Sequence, residues 1–134
     1  MENKIICLDT SILIEYFRKK NKEKSILYHL SSQNYSFAIS VIPEYEIYSG
    51  SNELQQDFWN KLFSQFILIP LDSEIIKKSV EINYQLKADR IQIDIPDLFI
   101  GSSAVYNNFP LATKNVKHFG RIKDLILFDY NKLN

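Results

Sequence analysis

The chain has 134 residues and a mass of 15.8 kDa, a length typical of one domain that buries a hydrophobic core. Hydrophobic residues make up 46% of the sequence, which argues against an intrinsically disordered protein. The charges of sixteen basic and sixteen acidic side chains cancel, so the net charge gives no indication of nucleic-acid binding. Local basic patches remain compatible with RNA binding.

The cellular setting is indicated by a few further features. Cys7 is the one cysteine and lies inside the apolar run IICL, so we expect a small core residue and a reducing environment. No apolar run approaches the roughly 18 residues of a membrane span. The start MENKIICLDT does not have the layout of a signal peptide. We therefore expect a cytoplasmic protein with no membrane partner.

Short strand-like runs alternate with longer helical patterns along the chain. The predicted strands are IICL (5–8), FAIS (37–40), FILIP (66–70), PLAT at the start of PLATKN (110–115), and a fifth, LILFDY (125–130). Six helices are predicted between and after these strands. The first follows Asp9, the second reaches about Ser32, the third follows FAIS directly, the fourth covers 52–66, the fifth begins at Asp72 and the sixth covers 95–108. In the helix over 52–66, four large apolar residues recur every fourth position and predict its buried face: Leu54, Phe58, Leu62 and Phe66.

This alternation predicts an α/β fold. We expect a three-layer sandwich in which a mostly parallel sheet of four to five strands carries helices on both faces. No linker, repeat or low-complexity tract interrupts the pattern, so residues 1–134 are predicted to form a single domain. In open sheets of this kind, ligands bind beyond the carboxyl ends of the strands, near the point where the strand order reverses.

Polar side chains cluster where the predicted strands end. Groups of them follow the first, second and fourth strands, and one more acid begins the helix that leads into the fourth strand. In chain order these residues are Asp9, Thr10, Ser11, Glu46, Asp97, Thr113, Lys114 and Asn115. If the strand ends are neighbours, three carboxylates, an amide and several hydroxyls share one cleft.

Three carboxylates held close together repel one another, and some would take up protons. A hard divalent cation, Mg²⁺ or Mn²⁺, removes this conflict, because it takes oxygen ligands and keeps several waters. Such an ion activates water and stabilises charge on a phosphodiester. The histidines are His29 and His118 and Cys7 lies inside a strand, so no nucleophile triad is indicated. Metal-assisted hydrolysis is the predicted chemistry.

The segment SVIPEYEIYSG (40–50) carries two glutamates in one short helix. Glu44 and Glu46 are about 200° apart around a helix, so they cannot serve one site. Glu44 lies in the first turn, where a carboxylate complements the helix dipole. We expect Glu46 to be buried and to point toward Asp9.

Three segments of the chain resemble the PIN-domain ribonucleases, specifically the VapC-type toxins of bacterial toxin–antitoxin pairs. They are IICLDTSILIEYF, FAISVIPEYEIYSG and IPDLFIGSSAVYNNFPLATKNVKHFGRI, and with the elements between them they cover essentially the whole chain. The resemblance implies a single PIN-like nuclease domain over 1–134. It also implies a Mg²⁺-dependent endoribonuclease toxin, with Mn²⁺ as a substitute ion, that acts on tRNA or other structured RNA.

The resemblance also assigns roles to individual residues and implies partners. The metal ligands would be Asp9, Glu46 and Asp97, and Asn115 would complete the catalytic set at a position where other members carry an acid. Water or phosphate would be positioned by Thr10, Ser11 and Thr113. Independently of the resemblance, four basic residues near the proposed site are candidates for contacts to the RNA backbone: Lys114, Lys117, His118 and Arg121. A homodimer and a small DNA-binding antitoxin are the implied protein partners.

Each of these residues also has a purely structural interpretation. Asp9 or Ser11 alone could cap the first helix, Asp97 could be a first-turn acid, and Asn115 could be a turn residue. The basic run RKKNKEK (18–24) is typical of a solvated face, with an RNA-tracking edge as the functional alternative, and Arg90 is a weaker candidate for RNA contact. The aromatic residues of the early helices are more often core than an exposed groove.

Two other functions remain open at this point. A PIN-type nuclease for RNA processing would use the same site, but the compact length favours the toxin. A non-catalytic module similar to a phosphoacceptor receiver domain also gathers acids, Thr113 and Lys114 at strand ends. A receiver expects paired acids after the first strand and has no use for Glu46.

Overall fold

The structure, a computed structural model, describes residues 4–132. The strands are β1 (Ile5–Leu8), β2 (Ser36–Ser40), β3 (Ile67–Ile69) and β4 (Leu111–Ala112). The helices are α1 (Thr10–Arg18), α2 (Ile26–Ser31), α3 (Val41–Ser49), α4 (Glu53–Phe63), α5 (Ser73–Ala88), α6 (Ile95–Tyr106) and α7 (Val116–Phe119), and short 3₁₀ turns cover Lys22–Lys24 and Tyr130–Lys132. Within the described range, no helix combines the length and the apolar character that crossing a membrane requires.

The four strands form one parallel sheet in the order β3-β2-β1-β4. In the centre, Cys7 of β1 lies opposite Ala38 of β2 on one side and Leu111 of β4 on the other. The chain runs outward from β1 through β2 to β3 and then returns to place β4 on the free side of β1. The strand order therefore reverses at β1, and a cleft is expected beyond the carboxyl ends of β1 and β4.

Helices cover both faces of the sheet, and alternate residues of each strand feed two separate hydrophobic clusters. One cluster joins Cys7 and Ala38 to α5, α6 and the segment 119–125. The other joins Ile6 and Leu8 to α1, α2 and the inner sides of α3 and α4. The three-layer α/β sandwich predicted from the sequence is thereby confirmed.

The sheet has four strands within the described residues, and the fifth predicted strand does not form. The segment LILFDY contributes one parallel bridge, between Leu111 and Leu127, with the backbone hydrogen bonds that accompany it. Its partner β4 is only two residues long, so it cannot support a longer ladder. Ile126 is 69% exposed, and the chain then turns into the 3₁₀ segment Tyr130–Lys132.

The aromatic residues of α1 and α4 form part of the core rather than an exposed groove. Trp59 is only 2% exposed and stacks on Phe17, while Phe58 meets both rings edge-on. Leu54, predicted to lie on the buried face of α4, is 82% exposed. The buried side of this helix centres on Trp59, and Phe58 and Leu62 pack against the same cluster.

Candidate active site

Asp9 is the buried centre of the candidate site, at 2% exposure. It follows β1, and its backbone N–H donates to the carbonyl of Ala112 at 3.0 Å, which extends the pairing of β1 with β4 by one residue. Its Oδ2 accepts hydrogen bonds from Ser11 Oγ and Thr113 Oγ1, both at 2.7 Å. Hydroxyls from the ends of two neighbouring strands therefore hold this carboxylate in place.

The same two hydroxyls also fix the chain that leaves β4. Ser11 Oγ accepts from the Lys114 N–H at 2.9 Å, and Thr113 Oγ1 accepts from the Asn115 N–H at 2.9 Å. A hydroxyl has one proton to donate, and in each case that proton goes to Asp9. The network therefore positions Lys114 and Asn115 beside Asp9 by their backbone, as the spacing of the polar residues predicted.

Glu46 reaches the same end of the sheet from α3. Its Oε1 accepts a hydrogen bond of 2.7 Å from Thr10 Oγ1, in the first turn of α1. Glu46 is exposed, so the prediction that it would be buried is wrong: this face of α3 lies at the open rim of the cleft. Glu44 is half-buried and lies in the first turn of α3, the position predicted for a carboxylate that complements the helix dipole.

Asp97 approaches from the first turn of α6 and is half-buried. Burial raises the pKa of its carboxyl, and the negative charges of Asp9, Asp94 and Glu46 raise that pKa further, whereas His118 lowers it. These electrostatic interactions connect Asp97 with both other predicted acids. One end of the sheet therefore carries a concentration of negative charge.

Helix capping does not account for these side chains. Asp9, Asp94 and Asn115 occupy the N-cap positions of α1, α6 and α7, but none of the three caps its helix through its side chain. At the other helix starts within residues 4–132, the N-cap side chain accepts a backbone N–H; these caps are Asn21, Ser25, Ser40, Asn52 and Asp72. The capping interpretation of Asp9 is therefore not supported, and Asn115 makes no side-chain cap either.

In the part of the chain that the structure describes, the acids of the site form no ion pairs. Among the ion pairs within residues 4–132, none involves Asp9, Glu46 or Asp97. In the same range, no three His, Cys, Asp or Glu side chains form a cluster that could hold a metal ion by themselves. A Mg²⁺ site needs fewer protein ligands than such a cluster, because the ion binds through one or two carboxylates, several waters and substrate phosphates. The unneutralised oxygen donors fit such an ion.

The predicted basic residues are placed differently from one another. Lys114 and Lys117 are exposed, and Lys114 lies in a cavity with Ser11 and Asn115. Arg121 is half-buried, and its Nη1 donates to the backbone carbonyl of Gln92 at 2.8 Å, which ties it to the loop before α6.

Two further residues act on the site through their charge, an effect that was predicted for neither of them from the sequence. Asp94 and His118 both affect the pKa of Asp97, with opposite signs. Asp94 precedes Asp97 by three residues, which is about one helical turn, so this spacing could have indicated their interaction. No comparable spacing links His118 to Asp97 before the fold is known.

Comparisons with known proteins show the family to which this chain is similar. The family model described as "PIN domain" matches residues 6–125. Ribonuclease VapC1 of Methanocaldococcus jannaschii is 39% identical over 132 residues, which are 98% of this chain and 90% of that protein. The structure of VapBC2 from Rickettsia felis bound to a promoter DNA fragment matches with a TM-score of 0.81 at 28% identity, over 92% of this chain and 97% of that chain. A toxin–antitoxin complex from Klebsiella pneumoniae matches with a TM-score of 0.72 at 26% identity, over 90% and 95%.

Proposed function

This chain belongs to the PIN-domain family and, within it, to the VapC ribonucleases, and on that basis we propose that it is a metal-dependent endoribonuclease that acts as the toxin of a toxin–antitoxin pair. The resemblance identified in the three sequence segments is thereby confirmed, and a receiver-like module is excluded. The observation that carries the metal-dependent part of the proposal is the group of acids at the strand ends, which neither cap helices nor pair with cations.

The proposed metal ligands are Asp9, Glu46 and Asp97, with Asn115 as the remaining member of the catalytic set. Their oxygen donors suit Mg²⁺, and Mn²⁺ as its substitute. When bound, the ion supplies a Lewis acid for the phosphodiester and lowers the pKa of a coordinated water. The chain's own contribution is to fix where that charge is placed.

The surrounding hydroxyls prepare this placement before any substrate arrives. Ser11 and Thr113 hold Oδ2 of Asp9, and Thr10 holds Oε1 of Glu46. Each hydrogen bond limits the rotation of a carboxylate, so less conformational entropy is lost when a ligand is bound. We propose that these three hydroxyls are positioning residues for the acids, and that they also orient water or phosphate.

We propose RNA as the substrate and a small DNA-binding antitoxin as the partner, as in the complexes to which this chain is similar. A homodimer of the single domain 1–134, acting in the cytoplasm on tRNA or another structured RNA, is the form that the family resemblance implies. Because the solved relatives include toxin–antitoxin complexes, this role is favoured over RNA processing.

The decisive comparison uses the two glutamates of α3. Glu46→Gln removes a proposed metal ligand, whereas Glu44→Gln makes the same chemical change two residues away, in the first turn of the same helix. We expect cleavage of labelled tRNA in Mg²⁺ to fall at least about 10–100-fold for Glu46→Gln. For Glu44→Gln, the rate should stay within about twofold of the wild type. Rates are measured as single-turnover constants on folded protein.

Two outcomes would contradict the proposed function. Cleavage that continues unchanged in excess EDTA would show that no metal ion is needed. Wild-type activity of Glu46→Gln, measured in the same preparation series as Glu44→Gln, would remove Glu46 from the site.

A further inference from the structure

A second functional surface lies next to the acids, in the loop between α5 and α6. Two adjoining cavities, of about 670 and 380 Å³, share Lys87, Gln92 and Arg121 among their lining residues. Arg90 lines the larger cavity, and His118 lines the smaller one. Together they form one groove, here called the α5–α6 groove.

The α5–α6 groove carries positive charge that the protein does not neutralise. Lys87 and Arg90 are exposed, and neither forms an ion pair within residues 4–132. The neighbouring acid Asp89 is already paired with Lys123, at 3.1 Å. Arg121 uses Nη1 to hold the carbonyl of Gln92, so the rest of its guanidinium remains available. Three permanent cations therefore face one groove.

The groove is continuous with the candidate active site. Its smaller cavity is lined by Asp94 and Ile95 at the start of α6, and Asp97 lies in the first turn of the same helix. The surface therefore changes from acidic to basic over the first turn of α6. The carboxylate of Asp94 marks that boundary, and it disfavours an anion at this one point of the groove.

We propose that the α5–α6 groove binds the phosphate backbone of the RNA strand on one side of the cleaved bond, with Lys87, Arg90 and Arg121 as the phosphate contacts. This inference rests on the proposed function. Ammonium and guanidinium groups are the side chains that bind phosphate oxygens best, and arginine does so with two parallel hydrogen bonds. Asp94 lines the groove and precedes Asp97 by about one helical turn, so a strand whose phosphate lies among the acids extends toward this groove.

A second basic cavity, of about 470 Å³, lies on the α1 side of the site and is less suited to this role. It contains three cations, Arg18, Lys19 and Lys114, and Glu15 in the same cavity pairs with Lys19 at 3.8 Å. Ile14 adds apolar surface there. One of these three cations is therefore already paired, whereas within residues 4–132 none of the three in the α5–α6 groove forms an ion pair.

The test compares two double variants that remove the same charge from the same helix region. Lys87→Gln with Arg90→Asn removes groove cations, and asparagine suits position 90 because φ there is 59°. Lys77→Gln with Lys78→Gln is the matched control, because both lysines pair with glutamates of α5 outside the groove. All binding proteins also carry Asp9→Asn, which prevents cleavage of the probe, a short fluorescein-labelled single-stranded RNA of mixed sequence.

Affinity is measured by fluorescence anisotropy over a series of salt concentrations. The slope of log K against log salt is negative, and each lost phosphate contact makes it shallower by about 0.7 for single strands. The groove variant loses two contacts, so its slope should be shallower by about 1.4. The control should retain the parental slope. The loss of affinity should be similar for RNAs of different sequence, because phosphate contacts carry no sequence information.

The outcomes distinguish a failure of the groove inference from a failure of the proposed function. If the wild type cleaves RNA but the groove variant keeps the parental affinity and slope, the groove inference is overturned and the proposed function stands. If the groove variant binds RNA normally but loses affinity for an acidic antitoxin peptide, the groove is a protein site and the inference is also overturned. If the wild type neither cleaves nor binds RNA, the proposed function fails first, and the groove inference fails with it.

Discussion

Asp97 forms no ion pair within residues 4–132, and the acids around it act more strongly on its charge than His118 does. Its pKa is raised by burial and by the charges of Asp9, Asp94 and Glu46. Between the ordinary aspartate pKa and this raised value, the folded state binds more protons than the unfolded chain. The free energy of unfolding therefore falls as pH rises through that interval. At pH values above the raised pKa, the full loss of stability remains.

We expect Asp97→Asn to raise the melting temperature in EDTA at neutral pH, because the amide removes both the desolvated charge and the repulsion. In Mg²⁺ the wild type should gain more stability than the variant, because only the wild type offers the full set of ligands. Differential scanning calorimetry in both buffers measures this. The exposed Asp57→Asn is the control, and a melting temperature of Asp97→Asn below the wild type in EDTA would contradict the account.

Thr113 tests the positioning role of the hydroxyls. Thr113→Val keeps the shape but removes a donor to Asp9 and the acceptor of the Asn115 N–H. We expect a loss of about 1–3 kcal/mol in the free energy of unfolding and a fall of about 10–100-fold in cleavage rate. Thr113→Ser should restore both, as measured by urea unfolding and by single-turnover cleavage. A valine variant with full activity would show that the hydroxyl does not position Asp9.

At the scale of elements, the basic run 18–24 contains a structural lysine. Lys22 Nζ donates to the carbonyls of Tyr16, Phe17 and Lys19 at 2.6–2.9 Å, and it lies 5.2–5.8 Å from three aromatic ring centroids, including that of Phe58. It therefore caps the C-terminus of α1. The solvated-face interpretation of this run is wrong for Lys22.

We expect Lys22→Met to lower the free energy of unfolding by about 2–3 kcal/mol, through lost charged hydrogen bonds and cation–π contacts. Lys24→Met, at an exposed position of the same run, should change it by less than about 0.5 kcal/mol. Urea unfolding followed by circular dichroism measures both. Equal effects from the two variants would contradict the capping role.

Two glycines make a matched pair for the packing of α6. A Cβ at Gly101 would lie 2.5 Å from Ile122 Cδ1, whereas a Cβ at Gly50 would meet nothing closer than a carbonyl at 3.6 Å. Gly101→Ala should therefore cost about 1–3 kcal/mol by overpacking. Gly50→Ala should stabilise by up to about 1 kcal/mol, because φ there is −97° and suits alanine. Thermal unfolding distinguishes them, and a neutral Gly101→Ala would show that this interface has room to adjust.

Element positions followed from the sequence wherever local pattern and tertiary packing agree. IICL and FAIS are apolar runs with clear boundaries, and both formed strands. Sequence patterns were less informative at the ends of elements and at the edge of the sheet, because packing partners determine the structure there. Leu54 is 82% exposed although its spacing places it in the predicted apolar stripe, and LILFDY forms a single bridge to β4, which has two residues.

At the scale of the whole molecule, the site depends on a contact between residues 104 positions apart, Asp9 and Thr113. Local pattern predicted that polar residues follow the strands, but it could not give the strand order that makes β1 and β4 neighbours. That the strand ends are neighbours therefore remained a condition of the predicted cleft, and the sheet order β3-β2-β1-β4 meets it for β1 and β4. The exposure of Glu46 could not be predicted, because it depends on how far α3 lies from the rim of the sheet.

The central claim is that acids from different parts of the chain are gathered to hold a divalent cation. The most direct test is an anomalous difference map from crystals of the protein soaked in Mn²⁺. The account predicts a peak within coordination distance of carboxylate oxygens of both Asp9 and Asp97, and weakened occupancy in Glu46→Gln. A map from an RNA-cleaving preparation with no peak between Asp9 and Asp97, or with its only peak elsewhere, would contradict it.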